Sequence, residues 1–396
     1  MKIIILFDDP FPIGMAATNR VISISKGFLE NGAEVMVYCL NPYELESKPI
    51  INKEVSGIYS GIKYKYLAGT TIWPSKKINK LIVRVKSFFN SVVEIVRLKS
   101  NKNIDVIILC SNRPSHILFY FILTYLLNIK YVQEKSEFPF ILSAKHLPGK
   151  VYAWLYTTFI YKVFDGMILM TTPLKEYFET RVRKNAKLEV VPMTVEGDRF
   201  KNCTDGSQFS FPYIGYCGYM GGNKDGVDIL IKAFKIVADK FKDIHLVLIG
   251  EAEKDEMSIL KKLVDDFKLN DRVIFTGKIE RDKMPPLLCN ANILALARPS
   301  SLQSLGGFPT KLGEYLATGH PVVVTRVGEI PFYLRDGENA YLAEPDSPEL
   351  FAAKLEFVLS NYETAKAVGK KGSELVKTYF NYRYQSKRIL DLLHSI

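Results

Sequence analysis

Cysteine is sparse in this 396-residue chain, and its five residues, Cys39, Cys110, Cys203, Cys217 and Cys289, show no C-x-x-C spacing. Neither a zinc site nor a disulfide framework is indicated, and a reducing cytosol is the simplest home. Long apolar runs are missing too: the longest, Ile117 to Leu127, falls short of the ~20 residues a membrane span needs. In the opening MKIIILFDDP, Asp8-Asp9 ends the apolar run well before a signal-peptide core is reached. No exported or membrane-spanning form is expected. There is no repeat of fixed period and no low-complexity tract. What remains is an ordinary globular composition, 47% hydrophobic and 24% charged, on a chain long enough for two separate cores.

Charge is present in excess of one sign. The net charge is +11, and residues 1–200 carry 27 Lys and Arg against 17 Asp and Glu, whereas residues 201–396 are nearly balanced. A one-sided basic half suggests an anionic partner, membrane or nucleic acid. Against nucleic acid, the aromatics sit in apolar runs rather than among exposed Gly/Arg segments. Residues 75–102 form a basic stretch with Leu81, Ile82, Val85, Phe88, Phe89, Val92, Val93 and Val96 at helical spacing. Such a helix either lies in the headgroup region of an anionic bilayer or packs its apolar face on a sheet with its charges in water. The patch Lys145 to Phe164, with Trp154 and several tyrosines, is open to the same two readings.

Patterning is α/β throughout. Lys2 to Phe7 reads as a strand, 8–17 as a Pro/Gly loop containing Gly14, Thr18 to Asn31 as an amphipathic helix closed by Gly32, and Glu34 to Tyr38 as the next strand. This βαβ start predicts a parallel sheet with a crevice at the strand C-termini. Further strands are expected at Asp105 to Cys110, Lys130 to Gln133 and Asp165 to Met170. The polar run Lys201 to Gln208 reads as a linker. The second half continues with strands Tyr213 to Cys217, His245 to Ile249 and Val273 to Phe275, and with a helix at Val227 to Lys240 after the turn Gly218–Gly226.

The most informative stretch is 292–328: strand Ile293 to Leu296, a loop, a short helix and strand Val322 to Thr325. Its centre is Gly306-Gly307-Phe308-Pro309-Thr310-Lys311-Leu312-Gly313-Glu314. Leu312, Tyr315 and Leu316 form the packed face, while Lys311 and Glu314 lie on another stripe. A helix start preceded by two glycines presents bare N–H groups and the positive dipole end, which suits a phosphate. The plainer alternative, an i, i+3 surface pair worth about 0.2–0.5 kcal/mol, explains neither the diglycine nor the Pro-Thr.

This segment, with Gly319-His320-Pro321-Val322-Val323 and Gly328-Glu329-Ile330 after it, resembles the donor-binding region of family 4 retaining glycosyltransferases, in the form linked to bacterial polysaccharide synthesis. The resemblance implies a GT-B fold: two Rossmann-like doubly wound parallel-sheet domains facing a cleft, 1–205 for the acceptor and 206–377 for the nucleotide-sugar, with 378–396 crossing back. It implies Lys224, Lys311 and Glu314 as catalytic residues, the lysines clamping diphosphate and the carboxylate accepting two ribose hydroxyls. Gly14, Gly277, Lys278, Arg298, Gln303, Gly306, Gly307, Phe308, Pro309 and Thr310 are implied around the donor, with Tyr219 where the family usually has arginine. Asn19, Arg20, Glu134 and Glu137 are the acceptor or sugar candidates. The family's histidine near Gln133 or Glu134 is missing, and Gly306 replaces a glutamate.

A departing nucleoside diphosphate gathers negative charge that fixed cations and helix N-termini stabilise. With no D-x-D triplet in the chain, neither a metal nor another cofactor is expected. The expected activity is a retaining hexosyl transfer from nucleotide-sugar to an acceptor hydroxyl, lipid-linked or on a growing glycan, in surface or capsular polysaccharide assembly. The expected location is the cytoplasm, with peripheral contact to the inner face of the membrane. Rival readings are a nucleotide-sugar epimerase of the same fold and a non-catalytic membrane-associated binding protein.

Overall fold

A computed structural model describes residues 1–139, 147–201, 203, 208–222 and 224–396. Lys145 and His146 of the aromatic patch, linker positions 202 and 204–207, and Asn223 of the glycine-rich turn lie outside the described residues. The chain forms two compact units, Met1–Thr194 with Tyr382–Ile396, and Val195–Asn381.

The first unit is built on an eight-stranded sheet in the spatial order Lys187–Val190, Gly166–Leu169, Lys130–Lys135, Val106–Cys110, Lys2–Phe7, Glu34–Cys39, Ile62–Tyr66 and Ser56–Tyr59. All neighbours are parallel except the last pair. Strand Lys2–Phe7 is buried along almost its whole length, as the continuous run KIIILF predicts for a sheet covered on both faces. The chain leaves it towards Glu34–Cys39 and returns on its other side at Val106–Cys110, so the order reverses between Lys2–Phe7 and Val106–Cys110. A crevice forms outside the C-termini of strands at such a reversal.

The second unit has six parallel strands in the order Val273–Gly277, His245–Ile249, Tyr213–Cys217, Ile293–Leu296, Val322–Thr325 and Tyr341–Ala343. Here the reversal lies between Tyr213–Cys217 and Ile293–Leu296. The loops that leave those two strands are the ones that carry Gly218–Gly226 and Arg298–Thr310.

Three features differ from the sequence reading. The units divide at 194/195 and 381/382, against 205/206 and 377/378. Residues 195–200 go with the second unit because Val195 donates to Phe380 O at 2.9 Å, while Glu196 and Arg199 pair with Arg281 and Glu314. Cys203 and Cys289 are joined by a disulfide, a pairing 86 residues apart that no local spacing announces. The loop before Thr310–Ala317 contains a one-turn helix, Leu302–Gly306, started by a reciprocal Ser301/Ser304 capping box and too short to show periodicity.

Helix Lys77–Ser100 faces opposite to the usual arrangement. Its buried residues are Ser87, Ser91 and Ile95, while Ile78, Leu81, Ile82, Val85, Phe89, Val93 and Val96 point to solvent. The reading in which the apolar face packs on the sheet therefore does not hold.

The C-terminal helix Tyr382–His394 packs along Ala16–Glu30. Ser386 Oγ donates to Ile24 O at 3.0 Å, and Tyr382 and Arg383 both bind Glu30. A Cβ at Gly27 would lie 2.2 Å from Ser386 Oγ and 2.8 Å from the Tyr382 carbonyl, so only glycine permits this contact. Gly27→Leu should overpack the junction, cost about 1–3 kcal/mol in urea unfolding, and expose the last helix to proteolysis. Unchanged stability and protection would refute the contact.

Candidate functional site

In the second unit the loops at the sheet reversal approach by backbone. Gly226, with φ 64°, has no room for a side chain: its Cβ would fall 2.0 Å from Ala297 O. At Gly218 a Cβ would fall 2.0 Å from Lys311 Nζ. The Lys311 side chain thus crosses the first glycine of the turn, and it binds Asp225 and the Tyr216 hydroxyl, the latter at 3.0 Å. Tyr216 in turn donates to Asp225 Oδ2 at 2.9 Å. Burial would raise the Asp225 carboxyl, but Lys311, the nearby Arg298 charge and the Tyr216 hydrogen bond outweigh it and hold the pKa below the usual value. Tyr315 anchors the helix Thr310–Ala317, since the Cys217 N–H donates to its hydroxyl at 2.6 Å.

Lys311 and Glu314 are not a surface pair, because each has a different partner. Glu314 Oε1 accepts from Arg199 Nη1 at 3.0 Å, and Arg199 also donates to Arg281 O at 2.7 Å. Tyr219, at the place of the expected arginine, donates its hydroxyl to Glu256 at 2.9 Å, while the Gly222 N–H donates to the other oxygen at 2.6 Å. These two bonds hold the Glu256 carboxyl below its ordinary pKa and tie the glycine-rich turn to helix Lys254–Asp266.

Of the other candidates, Arg298 is buried and donates to Gln303 O at 3.3 Å. Lys224 is exposed, beside the turn. Gly306 ends the one-turn helix, Gly307 and Pro309 lead into Thr310–Ala317, and Thr310 begins it. The Phe308 ring is buried against Tyr333 and Phe380, so that side chain packs the unit and only its backbone belongs to the loop. Gly277, at φ 70°, accepts from the Gly250 N–H at 3.1 Å, and Lys278 is exposed near Glu251.

In the first unit, Arg20 and Glu134 bind each other at 2.7 Å. Arg20 also donates to the carbonyls of Pro192 and Val191, and Glu134 accepts from Ser136, so this pair braces strand ends. Gly14 lies against Thr18, whose hydroxyl donates to Pro10 O at 2.8 Å. Asn19 is half-buried on the same helix, and Glu137 is half-buried beyond Lys130–Lys135.

The residues at the reversal itself lie outside that candidate set. Asp8 accepts from Asn41 and Ser111 and forms an ion pair with Arg113, whose Nε lies 2.8 Å away. Burial and Asp8 push the Asp9 carboxyl up to about 6. Burial brings Lys135, which donates to Asn112 Oδ1, down to about 8. Buried His116 is bonded to Ser111 at 2.9 Å.

Residues 211–361 match the family described as Glycosyl transferases group 1. That match lies within the second unit. N-acetyl-alpha-D-glucosaminyl L-malate synthase of Bacillus anthracis is 30% identical over 155 residues, 39% of this chain and 38% of that protein. Mannosylfructose-phosphate synthase of Agrobacterium fabrum is 23% identical over 59% of this chain and 54% of its own. The matches thus span about half or less of these relatives. Whole-chain likeness comes from solved structures: sucrose-phosphate synthase of Thermosynechococcus elongatus, with TM-score 0.76, 17% identity and coverage of 100% of this chain and 98% of that one, and Anabaena HepE in complex with UDP-glucose, with TM-score 0.73, 16% identity and full coverage of both. The fold is GT-B, two Rossmann-like parallel-sheet units.

Within the second unit the Lys311–Asp225 pair has a consequence for stability. Removing one partner of a buried ion pair leaves the other uncompensated, at about 3–5 kcal/mol. Lys311→Ala should lose stability on that scale in urea unfolding, and adding Asp225→Asn should restore most of it. Since the folded pKa of Asp225 lies below its unfolded value, its contribution is complete above the ordinary carboxylate range and is lost as pH falls below it. Wild type and Asp225→Asn should therefore converge in acid. A pH-independent gap would contradict the pairing.

Proposed function

We propose that the chain is a retaining glycosyltransferase that moves a hexose from a nucleotide-sugar to the hydroxyl of a lipid-linked or growing glycan. The single observation that carries this reading is the lysine that crosses the glycine-rich turn at the sheet reversal, inside the segment that matches the family. The donor diphosphate takes over the role of Asp225 as the anion beside Lys311, with Lys224 and Arg298 adding positive charge and the start of Thr310–Ala317 adding N–H groups. In the transition state these groups stabilise the charge that develops on the leaving diphosphate. Arg199 fixes one oxygen of Glu314 and leaves the other for a ribose hydroxyl.

The acceptor oxygen bonds to the anomeric carbon on the face that the diphosphate leaves, and the acceptor proton passes to a diphosphate oxygen. Every bond balances without an enzymic base or a metal. The HepE relative was captured with UDP and with UDP-glucose, and LpsE of Rhizobium meliloti, 29% identical over 152 residues, is named for lipopolysaccharide core biosynthesis. These relatives support a UDP-sugar as the first donor to try and a surface glycan as product.

At ~100 times its dissociation constant a nucleotide adds about 2.7 kcal/mol, which raises the unfolding midpoint by several degrees. UDP at millimolar concentration should do so among UDP, GDP, ADP, dTDP and CMP. Lys311→Ala/Asp225→Asn should remove the shift, and Glu314→Ala should cut transfer at least 100-fold. Normal turnover in both variants would sink the site assignment.

Peripheral membrane contact through the first unit belongs to the same proposal. No helix among the described residues is long and apolar enough to cross a membrane. The outward apolar row of Lys77–Ser100 is joined by Leu118, Ile122, Tyr125 and Leu126 of Pro114–Leu127, and the two helices touch through Phe88 and Phe119. Phe89 is 67% and Leu126 73% exposed. Each large apolar side chain left in water forgoes about 1.5–3 kcal/mol, and Lys76, Lys77, Lys80, Arg84, Lys86, Arg97 and Lys99 provide the charge that an anionic surface complements. Phe89→Glu with Leu126→Glu should cut cosedimentation with phosphatidylglycerol vesicles at least tenfold. Undiminished binding would reject this face.

A further inference from the structure

At the sheet reversal of the first unit, a pocket of about 120 Å³ opens beneath Lys77–Ser100 and in front of Pro114–Leu127. Its wall includes Asn41, Arg84, Arg113, Ser115 and His116. Arg84 lies over the Trp73 ring at 5.5 Å, and no carboxylate pairs with it among the described residues. Arg113 is paired with Asp8 through Nε and stays 44% exposed, so Asp8 does not cover the guanidinium. Asp8 itself is spent on His116, Ser111, Asn41 and Tyr43 as well. Helix Pro114–Leu127 begins at this wall with no side-chain cap, so the N–H groups of Ser115 and His116 lack an intrahelical acceptor. Two forked cations and an uncapped helix start are the donor set that a phosphoryl group satisfies.

The pocket lies between the same two helices whose outer faces are apolar and, among the described residues, unpartnered. A phosphoryl group bound there can keep its alkyl chain beside those faces. We infer that the Arg84–Arg113 pocket binds the phosphoryl head of a lipid, the carrier end of the acceptor. This rests on the lipid-linked acceptor reading above and names a subsite for it. Asp9, beside Arg113, is the acidic neighbour that tempers the positive charge. The charged residues of Lys77–Ser100 are six basic and one acidic, so the rim remains cationic.

The test compares phosphatidylcholine vesicles containing phosphatidic acid, which exposes a phosphate monoester, with charge-matched vesicles containing phosphatidylglycerol, whose phosphate is capped. Inorganic phosphate in solution is the third arm, read by thermal unfolding. The full chain should bind phosphatidic acid vesicles at least tenfold more tightly than phosphatidylglycerol ones. Arg84→Gln and, separately, Ser115→Asp should reduce that preference to less than twofold. Ser115→Asp places an anion at a helix start, where it suits the dipole, so a loss of preference there is not a loss of fold. Both variants should keep the UDP-induced shift.

A preference that survives both substitutions, or no preference in the wild type, overturns the inference. A wild type stabilised by inorganic phosphate through Arg84 but indifferent to the vesicle lipid overturns the lipid assignment in favour of a free anion. A wild type with the lipid preference but no response to any nucleotide supports the pocket and refutes the transferase reading instead.

Discussion

A buried charge must be matched, and in the second unit that constraint fixes the geometry of the whole site. Asp225 is nearly inaccessible, so the turn that carries it is stable only with Lys311 and Tyr216 in place. Lys311 comes from the helix after Ile293–Leu296, Tyr216 from the end of Tyr213–Cys217, and Asp225 from the turn that follows Tyr213–Cys217. One ion pair therefore clamps the loops on both sides of the sheet reversal. Arg199 and Glu314 repeat the device on the same helix, which is held from two directions before any ligand arrives. Preorganisation of this kind lets fixed charges act on a leaving group without being rearranged at the moment of reaction.

The first unit follows the same sheet rule with a different surface. Helix Lys77–Ser100 buries Ser87, Ser91 and Ile95, helix Pro114–Leu127 buries His116, Ile117, Tyr120, Leu123 and Thr124, and both leave further leucines, isoleucines and aromatics outward. In water alone this arrangement forfeits burial. The basic residues that flank the outward row supply about half of the charge excess of the N-terminal half. Composition and surface thus describe the same face from two sides.

Much of the fold was legible because buried parallel strands leave a plain mark. Ile293–Leu296, Val322–Thr325 and His245–Ile249 are short, largely aliphatic runs between Gly, Pro and polar residues, and helix Val227–Lys240 shows both its glycine start and its periodicity. The stretch from Gly306 to Glu314 also declared itself, since a diglycine and a proline before a lysine and a glutamate have few structural reasons to occur together. The partners of that lysine and glutamate did not. Asp225 lies 86 residues before Lys311, and Arg199 lies 115 before Glu314, distances at which no spacing rule operates.

Periodicity alone determined that residues 77–100 form a two-faced helix. It could not say which face meets the sheet, because an angle between faces is a local quantity and the choice of partner is not. By itself the sequence determined the order of strands and helices, the position of the glycine-rich turns and the sign of each half's charge, all of which follow from neighbours along the chain. The tertiary structure decided which charges pair, where the units divide and which apolar residues stay outside, because each depends on what distant segments bring to the same point in space.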